Sequence, residues 1–501
     1  MANETTQSEA ATRVETREAD EFATILKQSF KPRTDRAATE VENAVSTLVR
    51  EALRDETVIK DDVLDTIEAM IARLDEKLSA QMNEILHAPE FQQIESAWRG
   101  LSYLIYNSET DANLKIKVLN VSKNEIYRNL RLFPDAKWDQ SPLFKQIYEH
   151  EFGMLGGQPY GCLIGDYYFS HVPTDIQLMR DLSKVAGSAH APFFAAANPE
   201  LLGLDSWTEI NNARDISKVF DTPEYAAWHG LRDQDDSRYL GLCLPRVLAR
   251  LPYGAKSQPI EEFAFEEDTD GHKGEKYAWM NAAYAMAVNI NRAFKEFGWC
   301  TRIRGVESGG QVINLPTHTF PTDDGGVDLK IPTEVGIPDR REHELAKSGL
   351  IPIIHRKNTD KAAFIGAQSV YKPKKYFGEK GVDATASDNL SARLPYMFAV
   401  SRFAHYLKVM VRDKIGSMKE KDELTKWLQT WINEYVDSNP AMSTEAQKAR
   451  KPLAAASVEV IANEENPGYY NARFMLRPHF QLEAMDVGLS LVSRLPGPSK
   501  S

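Results

Sequence analysis

The chain has 501 residues, 60 basic and 72 acidic, for a net charge of −12; that balance argues against nucleic-acid binding as the main activity, because phosphate neutralisation needs a basic face. Hydrophobic residues make up 42% and charged residues 26%, an ordinary globular composition, and this length predicts two or three folding units. No apolar run reaches the ~18 residues of a membrane span and residues 1–20 hold no signal-peptide core, so a cytoplasmic chain without direct membrane insertion is expected.

Residues 1–20, rich in Thr, Glu and Ala and free of aromatics, have the composition of a disordered tail. Phe22, Ile25, Leu26 and Phe30 then recur at helical spacing, and Lys31-Pro32 ends that piece. Val41, Val45, Leu48 and Val49 mark a second helix. Leu64, Ile67, Ile71, Leu74, Leu78, Met82 and Ile85 mark a third, starting near Asp61-Asp62. Phe91, Ile94, Trp98, Leu101 and Ile105 draw one more apolar stripe, expected to be buried. Trp98 is read there as a core anchor in preference to a direct partner contact.

Beyond this helix the period changes. Residues 114–118 alternate apolar and polar, as in a strand. Ser122 and Glu125 have capping-box spacing. Residues 161–169 and 192–197 read as buried strands flanking a helix that carries Ile176, Met179, Leu182 and Val185. That order predicts a right-handed parallel crossover. Ser206 and Glu209 repeat the capping-box spacing. Residues 254–275 form an acidic loop, 277–297 a long apolar helix, 299–304 a short strand and 305–340 an extended surface excursion. Residues 351–355 and 363–367 return to strand character, and 372–388 to loop. A helix over 390–411, bent near Pro395, precedes a polar helix over 417–436 and strands at 455–461, 469–477 and 481–494. In the last two, Tyr470, Ala472, Phe474 and Leu476 alternate with largely polar residues, as do Met485, Val487 and Leu489, with a bulge or bend near residue 484. The fold class expected is α/β (mixed α+β).

The motifs of chemistry are missing. No G-x-x-x-x-G-K-[ST], no G-x-G-x-x-G after a strand, no C-x-x-C and no H-E-x-x-H occurs. Asp268, Asp270 and Gly271 match only part of a calcium loop, and a solvated acidic loop explains them better. Cys162, Cys243 and Cys300 read as buried reduced thiols. No cofactor, metal or catalytic residue is expected. A cytosolic α/β enzyme with its site on the loops at 254–275 and 305–340 remains the alternative from another class.

The run Phe91-Gln-Gln-Ile-Glu-Ser-Ala-Trp98-Arg-Gly-Leu-Ser-Tyr-Leu-Ile105 closely resembles the signature segment of the large subunit of the type VI secretion contractile sheath, the TssC/VipB family. A second block agrees, Ser391-Ala-Arg-Leu-Pro-Tyr-Met-Phe-Ala-Val-Ser-Arg-Phe-Ala-His-Tyr-Leu-Lys-Val-Met-Val-Arg-Asp-Lys-Ile-Gly416. The resemblance runs through nearly the whole chain and is weakest over its first thirty residues. It implies a structural protein and no enzyme. In this family the large subunit pairs with a smaller one (TssB/VipA) and polymerises on the baseplate around an inner tube of Hcp. Contraction then ejects the tube, and an AAA+ unfoldase, ClpV, recycles the sheath. A phage-like tail sheath shares these mechanics without the small subunit.

On this reading residues 1–35 are a tail with a short amphipathic helix, 36–87 the helical region that binds the small subunit, 88–387 an α/β core, and 388–501 a phage-sheath-like domain ending in a β-hairpin. The small-subunit interface is expected at Val41, Val45, Leu48, Val49, Leu64, Ile67, Ile71 and Leu74. Strand exchange between protomers is expected at Tyr470, Ala472, Phe474, Leu476, Met485, Val487 and Leu489. The charged face Lys419, Lys421, Asp422, Glu423 and Lys426 is ordinary solvated helix surface unless it grips the tube. The resemblance also implies unfoldase recognition through Phe22, Ile25, Leu26 and Phe30.

Overall fold

A computed structural model describes residues 36, 39, 43, 47 and 63–481, apart from 213–214, 323, 379–380, 415–420, 463–469 and 480. The chain divides into two units, residues 1–91 with 252–269, and residues 92–251 with 270–501. Helices α1 (Val63–Leu86) and α2 (Pro89–Tyr106) open the described region. The strands in chain order are β1 (Leu163–Phe169), β2 (Phe193–Ala197), β3 (Leu240–Leu244), β4 (Val247–Leu248), β5 (Trp279–Met280), β6 (Gln311–Val312), β7 (His318–Pro321), β8 (Val327–Lys330), β9 (Ile351–His355), β10 (Ala362–Phe364), β11 (Leu453–Ala462) and β12 (Tyr470–Pro478).

In the first unit, α1 clips the acidic loop 252–269 to itself through one side chain. Asn83 donates from Nδ2 to the Glu266 carbonyl at 3.3 Å and accepts from the Asp268 amide at 2.9 Å. Glu267 is not solvated as the sequence suggests. It is buried and accepts from the Tyr253 amide at 2.8 Å, because an extended loop alternates its side chains.

The second unit is built on a six-stranded sheet in the order β1-β2-β3-β9-β10-β6. β1, β2, β3 and β9 run parallel, and β10 and β6 close one edge antiparallel. Side chains two apart share a face, so both faces are apolar. Phe193, Ala195, Leu240, Leu242 and Leu244 join one core, with the helix Pro173–Ala189. Phe194, Cys243, Ile351, Ile353 and Phe364 join the other, with the helix Ala282–Phe297. This is the α/β layering expected of a parallel sheet, and the strand–helix–strand unit spanning β1 and β2 pairs parallel as predicted.

Several local expectations are corrected. Residues 114–118 join no sheet; Ile116 turns inward against Leu104 and Tyr284 while its lysine neighbours face out, which mimics strand alternation without a ladder. Residues 299–304 are irregular, because the Thr301 carbonyl is taken by the Gln481 side chain at 2.8 Å. The 305–340 excursion holds three short strands and buries Val312, Leu315 and Phe320. Ser206 caps a 3-10 turn with no capping box, whereas Ser122 and Glu125 form the box in full. The 390–411 helix is two, Gly381–Ser391 and Leu394–Lys414, with Pro395 tolerated in the first turn of the second. The loop expected at 372–388 therefore ends at Gly381. Cys243 is buried as expected, but Cys162 and Cys300 are half-buried; all three are free thiols, packed on one core.

A third core gathers Phe403, Leu407, Leu428, Ile432, Val458 and Val460 from the helices Leu394–Lys414 and Lys421–Asn433 and from β11, with Phe474 and Leu476 of β12 against it.

Candidate assembly surfaces

Four of the five residues of the apolar stripe of α2 face solvent, while Leu101 is half-buried against Leu104 and Tyr284. Ile94, Trp98 and Ile105 are 59%, 69% and 45% exposed, and Phe91 is exposed as well. The expectation of a buried stripe with Trp98 as core anchor is overturned at Phe91, Ile94, Trp98 and Ile105 and holds in part only at Leu101. The helix docks through its opposite, more polar side. Glu95 meets Arg250 in a two-point ion pair at 2.5 and 3.1 Å, with both side chains under a tenth exposed. Tyr103 donates its hydroxyl to the Ile313 carbonyl at 2.9 Å, and burial holds that hydroxyl's pKa up, keeping it a neutral donor. Gly100 lies flat on Tyr284; a Cβ there would sit 2.4 Å from two ring carbons, so only glycine lets the helix come this close. Leu104 completes the contact among Tyr284, Ala287 and Val288. A helix held this firmly by one side holds its other side rigid. The sequence signal for this is a stripe-bearing helix whose other face carries an acid, a glycine and a tyrosine.

Helix α1 also shows apolar residues outward: Ile71, Leu74, Leu78 and Ile85 are exposed. Leu64 and Ile67 lie on its backbone, but their side chains are outside the described residues, as are Val41, Val45, Leu48 and Val49.

The second surface is a strand edge. β11 and β12 pair antiparallel over their whole length as a sheet of two, with Val458 opposite Phe474 and Ser457 opposite Met475. Gln429 caps the far edge of β11, accepting from the Val458 amide at 2.9 Å and donating to the Ala456 carbonyl at 3.2 Å. The backbone groups of residues 456 and 458 therefore point away from β12, and by alternation those of Ala472, Phe474 and Leu476 point away from β11. Among the described residues no strand pairs with that outer edge of β12. Phe474 and Leu476 turn their side chains to the core, whereas Ala472 and Met475 are exposed. Strand 469–477 thus pairs with the preceding strand. Gln481 is pinned just beyond it, its amide donating to the Tyr396 hydroxyl at 2.9 Å and its side chain accepting from Arg304 Nε at 2.8 Å. Met485, Val487 and Leu489 lie outside the described residues.

Lys421, Asp422, Glu423 and Lys426 are exposed on the helix Lys421–Asn433, while Lys419 and the segment with Phe22, Ile25, Leu26 and Phe30 are outside the described residues. Both carboxylate oxygens of Asp270 are used by the Gly274 and Glu275 amides in a turn. Among the described residues no three His, Cys, Asp or Glu side chains are placed to hold a metal, and no helix is long and apolar enough to cross a membrane.

Comparison with known proteins puts this chain among tail sheath proteins. The VipB model, described as EvpB/VC_A0108, tail sheath N-terminal domain, matches residues 68–371, and its companion, the tail sheath gpW/gp25-like domain, matches 383–495. The sheath protein TssC1 of the type VI secretion system of Pseudomonas aeruginosa is 60% identical over 496 residues, covering 99% of each chain. The chain belongs to the type VI secretion sheath large-subunit family, TssC/VipB, which is a family of structural proteins. A chain of the anti-feeding prophage baseplate, solved by cryo-electron microscopy, aligns over 78% of this chain and 85% of its own at 11% identity and a TM-score of 0.36.

Proposed function

We propose that this chain pairs with the small sheath subunit and polymerises around an Hcp tube, which sheath contraction ejects. The observation that carries the pairing is the solvent-facing stripe Ile94, Trp98 and Ile105 on a helix fixed by its opposite face. Apolar groups held rigidly in water gain about 25 cal/mol for each Å² that a partner covers. The outward residues of α1, Ile71 and Leu74 among them, extend the same role to the expected 36–87 region. The β12 edge supports strand addition between protomers. The exposed charges Lys421, Asp422, Glu423 and Lys426 suit a weak, releasable hold on the tube. Release of the sheath to an unfoldase through Phe22, Ile25, Leu26 and Phe30 rests on the family resemblance.

The test is co-expression with the small subunit. The double variant Ile94→Asp, Trp98→Asp changes exposed positions only, so the purified chain should keep its melting temperature but lose the small subunit on a gel-filtration column. Undiminished co-elution would overturn this interface. Wild-type pairs that never build helical tubes in negative stain would overturn the sheath reading as a whole.

A further inference from the structure

We propose that an acidic groove on α1 is the docking site for residues 21–33 of the same chain. The groove, about 500 Å³, is lined by Glu68, Ile71, Ala72, Asp75, Glu76 and Ser79 of the helix and by Ala264 of the loop clipped to it. Its floor, Ile71, Ala72 and Ala264, is apolar. Its walls carry three carboxylates, of which Glu76 pairs with Arg73 at 2.5 Å. More acid stands alongside, since Glu261, Glu262 and Glu266 of the same loop are exposed. The loop wall is fixed by the Asn83 bridge and the buried Glu267.

This face shares only Ile71 with the stripe expected to meet the small subunit. At 3.6 residues per turn, Glu68, Ala72, Asp75 and Ser79 cluster about a third of a turn away from Leu74, Leu78 and Ile85, and Ile71 lies on the border.

A groove of this size, with an apolar floor and acidic walls, selects a helix-like segment with apolar anchors at steps of three and four and cations beside them. The chain contains such a segment. Phe22, Ile25, Leu26 and Phe30 have the spacing, and Lys27, Lys31 and Arg33 stand against one acid, Glu21. That is a local excess of two positive charges (three cations less one anion) in a chain whose net charge is −12. The connection also fits. Residues 34–67 separate the segment from Glu68, and even at the helical rise of about 1.5 Å per residue they reach about 50 Å. A tethered segment is presented at roughly millimolar effective concentration, which favours the chain's own copy over a neighbour's. Docking covers the apolar side of the segment and the groove floor together.

The test uses the full chain with a photoreactive benzoylphenylalanine in place of Leu26. Equal amounts of ¹⁴N and ¹⁵N copies are mixed, irradiated and digested. Cross-links are expected from position 26 to residues 68–79 or to the peptide holding Ala264, within one isotopic copy. The variants Glu68→Lys with Asp75→Lys, and separately Ala72→Trp, alter groove residues that are exposed (Glu68, Ala72) or half-exposed (Asp75) and should cut the yield about five-fold. Cross-links that fall elsewhere on the chain, that join light to heavy copies, or that persist at full yield in both variants would overturn the proposal.

Discussion

The β12 edge yields a prediction that separates folding from assembly by the parity of one residue. Ala472, Phe474 and Leu476 turn their backbone groups outward, whereas Met475 pairs inward with Ser457. An added strand would bond three N–H and three C=O groups there; at roughly 0.5 to 1.5 kcal/mol net for each bond, a junction is worth about 3 to 9 kcal/mol before the ordering cost. Ala472→Pro deletes one outward donor, and its ring holds the incoming strand off. A loss of about 1 to 3 kcal/mol follows, a factor of roughly 5 to 150 at every junction. The side chain is exposed and the inward ladder is untouched, so the subunit itself should melt as wild type. Met475→Pro breaks the inward bond to Ser457, so it should destabilise the subunit. Proline already sits at an outward position in the native chain, Pro478 opposite Leu453. The assay is sheath number and length in negative stain, alongside the melting temperature of each purified variant. Ala472→Thr, which keeps the donor, should assemble. Full-length sheaths from Ala472→Pro would refute strand addition at this edge.

Two further predictions concern what holds the surfaces in place. Arg250→Met leaves Glu95 buried with the half-exposed Arg99, at 3.4 Å, beside it; losing a buried partner costs about 3 to 5 kcal/mol, so amide exchange across α2 should quicken by about two to four orders of magnitude, and Glu95→Leu in the same chain should restore most of the protection. His405 donates from Nε2 to the Ala189 carbonyl at 2.8 Å, and burial, with His190, Arg402 and Lys408 nearby, lowers its pKa to about 4. The folded chain then binds fewer protons than the unfolded one between pH ~6.5 and ~4, so stability should fall as pH drops through that window, by up to about 3 kcal/mol. His405→Gln keeps a donor, and a melting-temperature profile that stays as steep in that variant would assign the effect elsewhere.

Where periodicity and burial coincide, the sequence was readable. β2, with five consecutive buried residues, and the helix Ala282–Phe297, buried nearly all round, were evident as apolar runs bounded by turn residues. β3 escaped notice although it sits in the middle of the sheet. Leu-Gly-Leu-Cys-Leu is short, glycine-containing and follows a 3-10 turn, so neither length nor β-branching marks it. The pairing partner of β12 was equally hidden. Alternation shows which face of a strand is apolar, but Gln481, fixed by Tyr396 and Arg304 far away in sequence, decides where the chain goes next.

The α2 stripe shows why period alone cannot locate a surface. Its apolar positions predict that something covers them, and in a single chain the default cover is the chain's own core. Here the core contact was taken by the other side, where Gly100 admits Tyr284 and Glu95 reaches Arg250. A helix has only one face to give to its own core. When the polar face is the one with a glycine for close approach and a buried acid for a fixed partner, the apolar face is left over. The leftover face is rigid, because two-point pairing and a ring contact hold the helix against rotation. Exposed apolar area on a fixed helix spares the cost of ordering backbone on docking and leaves only that of the side-chain rotamers. Within Phe91 to Ile105 the apolar residues thus divide: Leu101 and Leu104 join Gly100 and Tyr103 in packing on the chain's own core, while Phe91, Ile94, Trp98 and Ile105 stay exposed.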